Sequence, residues 1–347
     1  MLYPLLFEPN LHPTVWGGNQ IEPYKQLQPS RQPIGESWEI SVVPSSVSVI
    51  SNGAFRGRRF DDVVKEFGAD LLGKSVFEKY NGEFPLLIKF IDAAADLSIQ
   101  VHPDDEMAQR EEGKNGKTEC WYIIDAKPGS FLYAGMKERI SLEEYVRRVE
   151  DGTICDVLAK HEVKTGDVFY LPAGRVHAIC GGILLAEVQQ NSDITYRIFD
   201  YNRPGLDGKP RQLHTAQAMR AIDFNVQDEY RTIYNNEKER ANPCIESPYF
   251  TVRIVETARA FHRNLLKYDS FIVTMCLEGD CQIQIRSTGD SITLRQGYTC
   301  LIPASIADYD VIPQNPAGKT RLLDAFINNK NKNLVNIVTR FLKITDK

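Results

Sequence analysis

The chain contains no C-x-x-C pair, no long apolar run and no excess of positive charge. Its seven cysteines (Cys120, Cys155, Cys180, Cys244, Cys276, Cys281 and Cys300) are odd in number and scattered. They read as free thiols in a reducing cytoplasm, most of them small buried hydrophobes. No stretch reaches the roughly 18 consecutive apolar residues of a membrane span, so no membrane association is expected. Lys and Arg total 41 against 46 Asp and Glu, a net charge of −5 that offers no basic field for nucleic acid. The opening MLYPLLFEPNLHP lacks a basic start, carries Pro4 and Glu8, and shows no small-residue cleavage site. It is not expected to be a signal peptide.

What is present is a soluble composition, 42% apolar and 25% charged, over 347 residues, enough for two domains with sizeable cores. Short alternating runs broken by Gly, Pro and Asn dominate. Strands are expected at Ser37–Val43, Leu86–Phe90, Leu97–His102, Trp121–Ile124, Asp167–Leu171, Ile183–Gln189 and Thr195–Asp200. Further strands are expected at Thr251–Glu256, Ile272–Leu277, Gln282–Arg286 and Ser291–Leu294. Helical patterns are few: Phe60–Phe67, Ser141–Glu150, Thr215–Ala221 and Leu334–Phe341. Ser141 opens S-L-E-E, a capping-box pattern. The chain therefore reads as mainly β, built of sandwich or barrel modules with small helical insertions.

The polar, turn-rich stretch 230–247 reads as a linker, dividing a larger domain (1–240) from a smaller one (241–347). One internal echo relates them. Gly166 leads to Pro172-Ala173, and Gly297 leads to Pro303-Ala304. With β patterning in both halves, this suggests two related modules. The first copy carries Gly174 and His177 where the second has Ser305 and Asp308, so any metal is expected in the first only.

Candidate ligands follow from the strand period of two. In Leu97–His102 it sets Leu97, Ile99 and Val101 on one face, and Ser98, Gln100 and His102 on the other. Gln100 and His102 are then about 6.5 Å apart and point the same way. Alone, His102 reads more readily as a strand-end histidine hydrogen-bonded at the turn before Pro103. The acids from Asp104 to Glu106, with Pro103 before them, look like a helix start. Glu119 shares a face with Trp121 and Ile123, where a carboxylate is costly unless paired, metal-bound or at a wet strand end. Lys117 shares that face. His177 follows the tight Pro172-Ala-Gly174 turn, which holds the next side chain rigidly. Two imidazoles, a carboxylate and an amide make a plausible nitrogen/oxygen site for zinc, with one position open to water or substrate. The remaining histidines, His12, His161, His214 and His262, lack partners at strand spacing.

These residues carry a resemblance. Gly166-x5-Pro172-x-Gly174-x2-His177 matches the second sequence motif of cupins, small metal-holding β-barrels. The set SIQVHPDD, GKTECWY and AGRVHAI resembles type I mannose-6-phosphate isomerase in its short bacterial form. VWGG (15–18), GESWEIS (35–41) and QQNSDITYRIFDYNRPG (189–205) agree with that form, strongly over residues 1–220 and more loosely beyond. The resemblance implies two cupin-type (jelly-roll) modules, the second without metal. It also implies one zinc ion per chain held by His102, Glu119 and His177, with Gln100 as fourth ligand. The family's essential arginine falls on Arg197 and its lysine near the metal on Lys117. Longer members carry a large helical domain, whereas 126–161 leaves room here only for a small insertion at about 138–160. The implied activity is interconversion of a phosphosugar aldose and ketose, in which Glu187 is the candidate base. The oligomeric state, monomer or homodimer, stays open. Two other readings remain: a cupin that senses a phosphosugar without turnover, and an iron cupin oxygenase. The second would favour His-x-His where Gln100-x-His102 stands.

A last expectation comes from the residues alone. Ile183–Gln189 and Thr195–Asp200 flank Asn191-Ser192-Asp193, a hairpin signal that would set Glu187 directly opposite Arg197 on one face. That pair would line the cavity, or else form an ion pair on a solvated face.

Overall fold

The computed structural model describes residues 1–306, 308–314 and 319–328. The helical pattern at 334–341 lies outside them. Among the described residues the fold is mainly β and cupin-like, with short helices, as expected. Two compact units are present: residues 9–46 with 86–232, and residues 1–8 with 47–85 and 233 onward.

The boundary is thus not a single cut at residue 240. Residues 47–85 group with the C-terminal half because their helices pack there. Phe84 meets Phe271 with ring centroids 4.8 Å apart, and the amides of Phe271 and Ala304 donate to the carbonyls of Leu72 and Leu71. The strand Leu5–Leu6 joins that unit by pairing with Thr299–Ile302. The expected linker is also shorter than 230–247, because Ala241–Glu246 forms a strand against Thr251–Thr257.

The first unit holds two antiparallel sheets. The seven-stranded one runs Arg231–Thr232, Val168–Leu171, Glu119–Ala126, Ile183–Gln190, Leu86–Ala93, Leu11–Gly18, Ile34–Ile40. The five-stranded one runs Tyr196–Phe199, Ile99–Val101, His177–Ile179, Phe131–Met136, Leu158–Glu162. Their inward side chains make one core, in which Ile91, Trp121, Phe169 and Leu185 from the larger sheet join Leu132, Ala134 and Ile179 from the smaller. The outward residues Ile99, Val101, Ala178, Tyr196 and Ile198 pack under helices Asp105–Glu112, Leu142–Glu150 and Thr215–Ala221. Strand alternation therefore decides which side chains face the space between the sheets. Leu97 is the exception to its expected face. The strand begins only at Ile99, and Leu97 joins the inner core. Helix starts follow the expected chemistry: Asp104 and Ser141 accept from the amides of Met107 and Glu144.

The second unit repeats the plan with sheets of six and four strands around a core of Ile272, Cys281, Ile283, Ile302, Val311 and Phe326. The echo Gly166/Gly297 precedes matching strands, Val168–Leu171 and Thr299–Ile302, and both glycines have positive φ. Asp324 sits on the strand matching that of Glu187, cross-strand from Thr274 and Arg253. Its carboxylate is buried, ion-paired with Arg263, and accepts from Thr274 Oγ1 at 2.8 Å. Removing one partner of a buried pair strands the other charge. Asp324→Ala should therefore destabilise the chain by about 3–5 kcal/mol in urea unfolding. A loss near zero would mean that Arg263 finds solvent instead.

Candidate active site

The inward alternation brings the expected ligands together. His102 Nε2 lies 3.2 Å from Glu119 Oε1, and Glu119 Oε2 lies 3.5 Å from His177 Nε2. All three residues are buried, and among the described residues they form the one His/Cys/Asp/Glu group compact enough to hold a metal ion. The turn before His177 is tied to His102, since Gly174, at positive φ, donates its amide to the His102 carbonyl at 2.9 Å.

The donor set fits a cation. His177 Nδ1 is 2.8 Å from the Arg175 carbonyl, which commits the ring proton there and turns the Nε2 lone pair toward Glu119. His177 Nε2 and Glu119 Oε2 are both buried without a hydrogen-bond partner. Two facing acceptors with no proton between them are costly, and a bound cation removes that cost. Burial, with Lys117 beside it, pushes the His102 imidazole down to about 3. Burial likewise lowers His177. Burial alone would raise Glu119, but Lys117 and the two imidazoles hold it well below the usual carboxylate range. Neutral imidazoles beside an ionised carboxylate are the protonation states a divalent metal requires.

Lys117 lies outside any strand, just before Glu119–Ala126, yet its Nζ reaches the cluster, 2.9 Å from Glu119 Oε1 and 3.3 Å from His102 Nε2. Gln100 is half-buried on the smaller sheet, cross-strand from His177 on one side and Arg197 on the other. A cavity of 180 Å³ opens beside the cluster, and its walls include Gln100, Lys117, Glu119, Glu187 and Arg197.

The Glu187–Arg197 hairpin does not form. Ile183–Gln190 is an interior strand with both edges taken by Glu119–Ala126 and Leu86–Ala93, so no edge is left for Tyr196–Phe199. Residues 191–195 instead carry the chain into the other sheet. Glu187 lies opposite Lys89 and Trp121, while Arg197 lies opposite Gln100. Both still line the one cavity, each from its own sheet.

Glu187 is held by the Trp121 indole N–H, 2.8 Å from Oε2, and lies 3.4 Å from Lys89 Nζ through Oε1. Burial, and then the charge of Glu119, raises its carboxyl above the usual range. Lys89 was not anticipated from sequence. A lysine inside the otherwise apolar LLIKFI is the signal that could have revealed it, since a cation there must be paired. Its second partner is Glu36, 3.6 Å away, whose carboxylate also accepts from the Trp38 indole. Burial opposes the Lys89 charge, but Glu36 and Glu187 outweigh it and raise its pKa.

Arg211, also unanticipated, lines the cavity with Arg197. Its Nε and Nη2 donate to both oxygens of buried Asp200, at 2.7 and 2.6 Å, while Arg203 donates to the same carboxylate. Arg197 donates through Nη1 to the Gln212 carbonyl, and its Nε is buried without a partner. Burial, and then nearby Arg211, lowers its pKa, so two guanidiniums crowd one wall. His214, which lacks a partner at strand spacing, accepts the Arg197 amide at 3.2 Å through Nδ1.

Comparison with known proteins gives the chain's family. The family model for the catalytic domain of type I phosphomannose isomerase matches residues 5–129. The mannose-6-phosphate isomerase ManA of Bacillus subtilis is 38% identical over 88% of this chain and 95% of its own. A probable mannose-6-phosphate isomerase of the same organism, GmuF, is 34% identical over 90% and 96%. The crystal structure of the Bacillus subtilis mannose 6-phosphate isomerase superposes with a TM-score of 0.82 at 30% identity, covering 93% of this chain and 99% of that one. A putative mannosephosphate isomerase from Archaeoglobus fulgidus shares the fold at 23% identity and a TM-score of 0.75. With its metal-ready cluster, its two-sheet cavity and this similarity along nearly its full length, the chain belongs to the type I mannose-6-phosphate isomerase family.

Proposed function

We propose that the chain is a zinc-dependent aldose–ketose isomerase that interconverts mannose 6-phosphate and fructose 6-phosphate through an enediolate. The observation that carries this reading is the buried His102–Glu119–His177 cluster beside a cavity lined by Glu187 and two arginines. Zinc would be held by these three residues with Gln100, and would supply positive charge for the sugar oxygens at C1 and C2.

The chain's own groups handle the proton and the remaining charge. Moving a hydrogen between C2 and C1 needs a base that takes the C2 proton and returns it to C1. Glu187 suits that task, because its raised pKa brings it toward the pH at which it must both accept and release a proton. Its Oε2 is committed to Trp121, and Oε1 has no hydrogen bond of its own. Lys117 brings a second cation beside the ligand Glu119, where oxygen charge develops. Arg197 and Arg211 supply paired guanidiniums for an anion, and Asp200 holds Arg211 in a bidentate grip. The second unit is read as a metal-free module. Seven cysteines that form no disulfide support a cytoplasmic setting.

The direct test is a coupled assay that follows fructose 6-phosphate from mannose 6-phosphate. Glu187→Gln should lower turnover by at least about 10²-fold, the lower end of what a positioned base contributes, with zinc content unchanged. No product from the zinc-loaded wild type would overturn the proposal, and normal turnover in Glu187→Gln would remove Glu187 from it.

A further inference from the structure

Lys117 lies in an irregular segment between the helix Asp105–Glu112 and the strand Glu119–Ala126. Its ammonium rides on a flexible four-carbon stem, so its placement depends on how firmly the backbone beneath is held. One pair of side chains holds that backbone on both sides. The Gly116 amide donates to Asp105 Oδ1 at 2.9 Å, and the Thr118 amide donates to Gln190 Oε1 at 2.9 Å. Gln190 Nε2 then donates to the same Asp105 oxygen at 3.0 Å, linking the two anchors. Between them the Lys117 amide donates to the Pro103 carbonyl at 3.1 Å, one residue after His102. Gly116 is pressed so close to the turn that a Cβ there would lie 2.6 Å from the backbone of Asp104 and Asp105. Gln190 is buried, and neither it nor Asp105 lines the cavity.

We infer that Asp105 and Gln190 are positioning residues, a clamp on the peptides flanking Lys117 that delivers its ammonium to the metal cluster. The inference rests on the proposed role of Lys117 in turnover. It differs from a merely structural role in one respect: breaking the clamp should act through Lys117 and through nothing else in the site.

Gln190→Glu tests it. The new carboxylate can still accept from Thr118, but it loses the donor to Asp105 and faces that carboxylate with no proton between. The expected result is a fall in kcat of at least about tenfold with KM within about twofold, since misplacing a reacting group by an ångström can cost up to about 10²-fold. Asp105→Asn keeps its acceptor for Gly116 and Gln190 and should stay near wild type. In a Lys117→Ala background, Gln190→Glu should cost nothing further, the signature of coupled residues in a double-mutant cycle. Zinc content should match wild type throughout. Should Gln190→Glu fail to fold, Asp105→Ala, at an exposed position, is read by the same cycle.

Unchanged kcat in Gln190→Glu would overturn the clamp. So would an undiminished loss on top of Lys117→Ala, or zinc lost in step with kcat, which would mean that the pair acts on Glu119 instead. Wild-type turnover in Lys117→Ala would overturn the reading of Lys117 itself, and the clamp with it.

Discussion

His177→Ala should cost the protein its metal and its turnover together. His177 supplies one of the two imidazole nitrogens of the cluster, and its Nε2 is left without any protein donor. The ring is held edge-on to Trp121, with centroids 5.2 Å apart, and through Nδ1 by the Arg175 carbonyl. Among the described residues no further His, Cys, Asp or Glu joins the group to replace it. Losing even an outer-shell partner of a metal ligand weakens binding by about 10–100-fold, so losing the ligand should cost more. His102→Ala should behave alike, since its Nε2 lies 3.2 Å from Glu119 Oε1. Elemental analysis after gel filtration, beside the coupled assay, reads both effects. Full metal occupancy in both single variants would sink the ligand assignment.

The second large effect is expected at Arg197. Arg197→Ala should lower turnover at least about hundredfold, the range seen when a preorganised charge donor is removed from a reacting site. Zinc content and Tm should stay near wild type. Among the described residues no ion pair joins Arg197 to Glu119, and its side chain donates to a loop carbonyl at Gln212. Its buried, unpartnered Nε beside the cavity is what a guanidinium kept for an anion looks like. The loss should be largest for phosphorylated substrate if the arginine meets the phosphate, and general if it meets the enediolate. Near-normal turnover would leave Arg197 a surface charge that happens to border the cavity.

The metal cluster was legible in the sequence because strand alternation is local. A period of two sets Gln100 against Ile99 and Val101, and sets Glu119 with Trp121, with no knowledge of the partner strands. What could not be read locally was which strands pair. The 191–195 turn looks like a hairpin loop, and only the occupied edges of Ile183–Gln190 forbid one. Glu187 and Arg197 meet the same cavity anyway, because two sheets facing each other bring together what a hairpin would have set side by side. Lys89 is masked by the apolar content of its strand, although a cation amid Leu86–Ala93 is the informative residue there. Arg211 lies in a loop without periodicity, and its place depends on Asp200, which no sequence pattern ties to it. The grouping of residues 47–85 with the C-terminal unit rests on contacts such as Phe84 with Phe271, far apart in the chain.

The most direct test of the central claim is a metal titration of activity. The protein is stripped with a chelator, zinc is returned in steps, and mannose 6-phosphate turnover is followed by the coupled assay with zinc measured on the same samples. One site per chain predicts no turnover in the stripped protein, a linear rise, and saturation at one zinc per chain. Turnover that survives complete stripping, or that saturates only at two zinc ions per chain, would contradict the account.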